Sequence, residues 1–423
     1  MSIPGQTMGV SVFTDDLLAA TGLSRIALSN TYLVGTLASG LLLPFGGVLF
    51  DRHGARPLAI LACWGLGATL CFLTVADHAS RGLASALSVV FPVSPTAAAA
   101  VVLCVAFTAL RFSGQGMLTM VSRAMVSKWF DRRRGQVAGL LGVVINFGFS
   151  LAPALLGFWI GAAGWRGAWL GMAATVGIGM SGLAWLLFRD NPEECGLHMD
   201  GGTSSPAPLP PDQGPAPKDV AALEPEELGY TRAEALRTLV FWVFAFALAI
   251  QSMVYTGITF HIVDLGAEHG MGRVEVVSLF IPIAVVSMSM GFAVGLAADR
   301  LRLQWLVMAM MVFQAIGFVG FAQLQDPVWR AVGVAGWGLS GGFYGPLTTV
   351  AIPKLFGRRH LGAISGALMS LLVMASALGP SALAMSKLVL GAYRPGLLAL
   401  CALPAIAFAL APFARTPGPR PTA

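Results

Sequence analysis

Two repeated bundles of membrane-spanning helices, an all-α polytopic architecture, are what this sequence predicts. Three observations carry that expectation. Hydrophobic residues make up 56% of the 423 residues and charged residues only 11%, where a soluble domain carries about a quarter charged. Apolar runs of the length that crosses a bilayer, about 20 residues, follow one another along the chain. A short charged loop, Gly46 to Pro57, recurs in the second part of the sequence together with other landmarks.

The elements follow in order. Residues 1–13 are apolar, but at about 1.5 Å per residue they are too short for a hydrocarbon core of about 30 Å. A polar stretch from Thr14 to Arg25 comes next. Further spans are expected near 26–49, 57–78, 97–120, 136–162, 167–188, 239–263, 274–298, 303–324, 328–350, 362–386 and 391–413. Between them, the region 199–228 is rich in proline, glycine, serine and acids. It cannot bury a core and reads as a disordered linker. The expected organisation is an N-terminal helical half (1–190), a linker (191–236), a C-terminal helical half (237–413) and a tail (414–423).

Loops on the side of Asp51, including the linker and the tail, hold eighteen Lys and Arg residues. Arg123, Lys128 and Arg132 to Arg134 are counted among them. The opposite loops hold seven, and Arg111 lies inside a span. Basic loops stay cytoplasmic, so the Asp51 loop, the linker and the C-terminus are expected in the cytoplasm. Arginine (22) outnumbers lysine (4) in a chain rich in Ala, Gly and Pro. That composition suggests a GC-rich bacterial gene and a multi-pass protein of the cell inner membrane.

The halves repeat. Gly47-x3-Asp51-Arg52 returns as Gly295-x3-Asp299-Arg300, and Lys128-Trp129-Phe130 as Lys354-Leu355-Phe356. Gly139 and Ala152-Pro153 return as Gly366 and Gly379-Pro380. The offset is 248 at the first pair and 226–227 at the others, which places an extra external loop at 79–97. By the same measure the first span starts about ten residues late, so the first helix reads as truncated. Internal repetition in a helical membrane protein points to a transporter with its site between the halves.

At these residues the chain resembles the major facilitator superfamily. Gly47-x3-Asp51-Arg52-x-Gly54-x-Arg56 matches its hallmark loop between the second and third helices. Arg111-Phe-Ser-Gly-Gln115-Gly116 is similar to the family's Arg-x-x-Gln-Gly pattern, shifted by one residue. Gly139 to Gly157 is similar to its proline-containing signature, with Ala and Leu in place of two glycines. Lys128-Trp129-Phe130, Asn191-Pro192-Glu193-Glu194 and Phe241-Trp242 look like the monocarboxylate transporter and oxalate/formate antiporter branch. The resemblance implies two six-helix halves related by a pseudo-twofold repeat. It also implies a cytoplasmic latch made by Gly47, Asp51, Arg52, Gly54 and Arg56 with Gly295, Asp299 and Arg300. The spans at 274–298 and 362–386 lack the internal cations of oxalate-type members, which argues against a doubly charged substrate.

Candidate substrate contacts are polar or aromatic residues inside spans, where such groups are costly unless used. Arg111 and Gln115 share a face. The two readings are an anion-binding cation and an arginine tied to the carbonyls of the first helix. Gln251, Tyr255 and Thr259 form a stripe with His261 near its end. Tyr32, Asn146, Trp337 and Tyr344 complete the set, with packing as the competing reading for each. Pro153 and Pro380 kink helices and suit gating. Asp51 is placed to cap the helix starting near Gly362.

The leading expectation is a secondary active or facilitated transporter of a small organic anion, a monocarboxylate, working by alternating access. A co-transported proton or counter-ion is the expected partner. Alternatives are a drug or metabolite exporter of the same fold, and a non-transporting sensor or degenerate relic. An enzyme is not expected. The five cysteines form no CxxC pair, no nucleotide-binding GxxxxGK[ST] loop occurs, and no catalytic residue, metal or cofactor is indicated. The charge of +6 lies in short loops and does not point to nucleic acid. A monomer in the bilayer is expected.

Overall fold

The computed structural model describes residues 3–88, 94–201 and 229–414, without the side chains of Met8, Asn146, Phe149, Ser150, Pro153, Ala154 and Gly201. Most of the expected linker, 202–228, lies outside these residues, as does the tail from 415. So do the side chains of the candidates Asn146 and Pro153.

The described residues are almost entirely helical. Two short helical turns, Ile3–Gly5 and Thr7–Ser11, precede α1 (Thr14–Thr21). None of the three is long enough to span a bilayer. The rods that follow are α2 (Arg25–His53), α3 (Ala55–Leu73), α4 (Pro95–Trp129), α5 (134–163) and α6 (165–187). The second half contributes α7 (Leu239–Glu268), α8 (Arg273–Arg300) and α9 (Leu303–Phe321). It ends with α10 (Pro327–Phe356), α11 (Leu361–Leu390) and α12 (Tyr393–Phe413). Nine helices among the described residues are long and apolar enough to cross a membrane. α5 and α6 are joined at a single residue, Gly164, whose φ of 70° only glycine adopts without strain.

Two expectations need correction. The span placed at 97–120 runs on to Trp129, so Arg123 lies within a helix and not in the basic loop beyond it. The loop placed at 79–97 opens with a helix, Ala76–Ser88. Its Asp77 is buried and holds Arg166 (3.1 Å) and Arg81 (3.2 Å). Alanine and serine at a helical period are weak signals against a polar background, which is why this helix reads as loop in the sequence.

The halves meet along two matching seams. α2 crosses α11 where Gly47 lies against Gly362, and Gly366 against Leu43 and Gly47. α8 crosses α5 where Gly295 lies against Gly135 and Gly139. At Gly47 and Gly295 a Cβ would collide with a backbone carbonyl of the other half. Small residues here set how closely the backbones approach.

Candidate functional site at the seam between the halves

Each seam ends in a carboxylate that caps a helix of the opposite half. Asp51, last-turn residue of α2, accepts from Gly362 N through Oδ1 (2.7 Å) and from Ala363 N through Oδ2 (2.8 Å). Asp299 of α8 accepts from Gly135 N (2.8 Å) and Gln136 N (3.2 Å). The start of a helix leaves N–H groups without partners and carries a partial positive charge, so a carboxylate there is stabilising. The two caps follow the repeat in the sequence. Their neighbours differ. Arg56 donates to Trp185 O and stands 5.6 Å from that ring. Arg52 and Arg300 are exposed, with no hydrogen bond or ion pair among the described residues. Neither Arg52 nor Arg56 is paired with an acid among the described residues. Gly54 takes φ 79° to turn the chain against Asp190, which caps Ala55 N (2.8 Å) and pairs with Lys128 (2.6 Å).

Three more contacts reinforce this end. Ser127 Oγ donates to Thr349 O (2.9 Å), and Arg358 reaches across to Lys128 O (2.6 Å) and the Met199 sulfur (2.9 Å). Every hydrogen bond between the halves among the described residues lies at the Asp51 end. At the opposite end the polar contacts stay within one half: Arg166 with Asp77, Glu268 with Lys387 (2.8 Å), and Glu275 with Arg330 (2.7 Å). The structure is thus clasped at the Asp51 face and unclasped at the other.

Arg111 does not line the space between the halves. It is only 1% exposed and sits inside the first half. Its Nη1 donates over long distances to Gly5 O (3.4 Å) and Thr7 Oγ1 (3.3 Å), and its charge lies 5.4 Å from the Tyr32 ring. Tyr32 in turn bonds Thr7 through its hydroxyl (3.1 Å). The geometry is that of the second sequence reading, an arginine tied to carbonyls at the start of the chain. Both Arg111 and Gln115 fall in a π-helical stretch, Arg111–Leu118. A π turn absorbs one extra residue within an α-helix. That accounts for the one-residue shift of this motif from the pattern it resembles. The wide turn also lets Gly5 pack onto Gly114, backbone to backbone.

A cation deeper on the seam is Arg123, which sequence reasoning assigned to a loop. Its guanidinium lies 5.6 Å from the ring of Tyr344, on α10 of the other half. Its Nη1 is buried without a hydrogen-bond partner. No carboxylate pairs with it among the described residues. It lines a narrow pocket of about 10 Å³ with Met120, Ala124, Ser127, Thr348, Thr349, Ser365, Leu368 and Met369. The signal that identifies it is a single charge in Met120-Val-Ser-Arg123-Ala-Met-Val126, with apolar residues on both sides.

A second narrow pocket, also of about 10 Å³, lies within the second half between α7, α9 and α10. Gln251, Tyr255 and Trp337 come together there, as three of the expected substrate contacts. Gln314 joins them, unforeseen because a lone amide in an apolar run carries no pattern. Tyr255 and Trp337 stand edge to face at 5.4 Å. His261 is placed elsewhere, bonded to Pro380 O (2.9 Å) and the Tyr393 hydroxyl (3.2 Å). It braces α7 against α11 and α12 inside the second half, so it lies off the seam. Among the described residues no cluster of His, Cys, Asp or Glu is placed to hold a metal.

The sequence matches the family model described as Major Facilitator Superfamily over residues 2–380. A multidrug resistance protein B homolog of Mycobacterium tuberculosis is 30% identical over 185 residues, which is 43% of this chain and 30% of that protein. The aligned stretch is thus under a third of that relative's length. Among solved structures, the fold is similar to the human organic anion transporter TETRAN (TM-score 0.63, 16% identity, 94% of this chain and 88% of that one). A bacterial homologue of the iron transporter ferroportin, in an outward-facing state, gives TM-score 0.64 at 14% identity over 98% and 96%. The E. coli fucose:proton symporter gives 0.62 at 11% identity over 98% and 96%. At these identities the structural likeness concerns the fold.

Proposed function

The chain belongs to the Major Facilitator Superfamily, a family of multi-pass membrane transporters and not of enzymes, and from that premise we propose that it moves a small organic anion by alternating access of its two halves. The observation that carries the reading is Arg123. A half-buried cation on the seam, with one nitrogen sealed and unpartnered, is costly unless something negative joins it. No acid of the protein does so among the described residues, so the substrate brings the charge. One cation matches one carboxylate, and a monoanion is the natural cargo. Hydroxyl groups of Ser127, Thr348 and Thr349 line the same pocket and provide polar contacts that carry no charge.

The clasped face supplies the gate. Asp51 and Asp299 hold it shut, and the anion enters from the opposite, unclasped face. By the distribution of basic loops the clasped face is cytoplasmic. Release on that side requires both caps to part, and the glycine seams to slide.

The test is uptake into vesicles of labelled mono- and dicarboxylates and of cationic drugs, with Arg123→Ala beside the unaltered chain. Monocarboxylate uptake that falls more than tenfold in the variant supports the reading. Unchanged carboxylate uptake, or a preference for cations, rejects it. A second reading, export of drugs, is favoured by the stretch similar to the multidrug resistance protein. It predicts transport of apolar cations that is indifferent to Arg123.

A further inference from the structure

The two pockets share one helix. Trp337, Ser340, Tyr344 and Thr348 recur along α10 at steps of three and four, so they lie on one face. Trp337 and Ser340 line the pocket in the second half, and Thr348 lines the pocket of Arg123. Tyr344, with the Arg123 guanidinium over its ring, lies between them. From Trp337 to Tyr344 is seven residues, about 10 Å along a helix. Along α7, Gln251, Val254, Tyr255 and Ile258 keep the same kind of spacing and face the same pocket.

The far pocket asks for something specific. Gln251 and Gln314 are each 3% exposed, and the Oε1 of each is buried without a partner. Leaving a buried acceptor unpaired is costly in a protein interior, and the membrane offers no water to relieve it. Two such atoms in one aromatic-walled pocket call for a group that donates hydrogen bonds and tolerates ring faces. No charged residue lines this pocket, so the group is uncharged. Each pocket holds about 10 Å³ in this arrangement, room for a single water, so a cargo fits only once the halves part and the Tyr344 ring turns.

We propose that the two pockets are the ends of one substrate site and that the cargo is an amphipathic organic anion. Its carboxylate meets Arg123, and an uncharged N–H-bearing aromatic or amide group about 10 Å away meets Gln251 and Gln314. Tyr344 is the partition between the two ends. This rests on the anion reading above and specifies the length and far end of the molecule. Acids of a few carbons would fill only one end.

Calorimetric titration of the full chain in lipid nanodiscs tests it. The ligands are propionate and a series of straight-chain monocarboxylates of increasing length ending in a carboxamide. Affinity is expected to rise about tenfold once the chain spans the two pockets, the yield of two recovered hydrogen bonds. Gln314→Leu should abolish that rise and leave propionate binding as it was. Gln251→Met repeats the measurement at the second amide, and whichever variant keeps a cooperative melt decides. Affinity independent of length, or variants that weaken short and long acids alike, overturn the proposal while leaving the anion reading standing. If no carboxylate binds, or Arg123→Ala changes nothing, the anion reading fails and the proposal falls with it.

Discussion

Two arginines on α4, twelve residues apart, differ in where they face rather than in how well they are paired. Arg111 is sealed in the first half, with a carbonyl, a threonine hydroxyl and a tyrosine ring about it and its Nε buried without a partner. Arg123 lies half-buried on the seam between the halves, against the Tyr344 ring of the other half and likewise with one buried nitrogen unpartnered. Sequence position ranks them the other way, because Arg111 sits in the middle of an apolar run and Arg123 near a basic loop. Depth in the membrane and exposure to the substrate path are different properties. A helix that crosses the bilayer once can hold one charge sealed within its own half and another on the seam between the halves.

The largest expected effect breaks or sustains that contrast directly. Arg123→Ala should weaken binding of a monocarboxylate by about 10- to 150-fold, the loss of one or two charge-assisted hydrogen bonds, read by equilibrium titration. Arg111→Met should change that affinity less than twofold. Replacing a buried charge by a well-packed apolar side chain is often neutral or stabilising, so its melting midpoint should hold or rise. A large loss of affinity in Arg111→Met with none in Arg123→Ala would invert the comparison.

Next in size are the clasps. Asp51→Asn keeps an acceptor but loses the charge at the helix start, worth about 0.3–2 kcal/mol. Turnover is expected to change by up to about thirtyfold, with binding to the unclasped face within twofold. Asp299→Asn should match it, since the two caps are equivalent in geometry. Separate rate and affinity measurements distinguish this from damage to the site.

A smaller effect is expected where the sealed and open ends differ in sequence. Burial pushes the Asp77 carboxyl upward, but the Arg166 hydrogen bond and charge outweigh it and hold its pKa below the ordinary value. A lowered pKa contributes stability above the unfolded value, about 3.9, and loses it as pH falls through the folded one. The melting midpoint should therefore be flat above about pH 4 and decline below it. Asp77→Asn should flatten that decline, as followed by melts across acid pH.

The legibility of the molecule follows the strength of each physical signal. Helical spans and the turn at Asp51 were readable because charge is intolerable in hydrocarbon, so the alternation of apolar and charged stretches is forced. Asp299 was readable through the repeat. The helix at 76–88 was not, since an amphipathic surface helix of Ala and Ser leaves no run. Arg123 was not, because one residue type reads alike at the end of a span and in the loop beyond. Gln314 became visible only when α7, α9 and α10 placed its amide beside that of Gln251.

The π turn at Arg111–Leu118 has a consequence for how α4 tolerates insertion and deletion. In a regular α-helix one added residue rotates everything after it by about 100°, which would carry Arg123 off the seam. Here the extra residue is confined to a widened turn, and the phase downstream is preserved. A chain shortened by one residue at Phe112 is therefore expected to relax that turn to α and keep Arg123 facing Tyr344. What it would lose is the berth for Gly5, and with it the anchorage of the first residues of the chain.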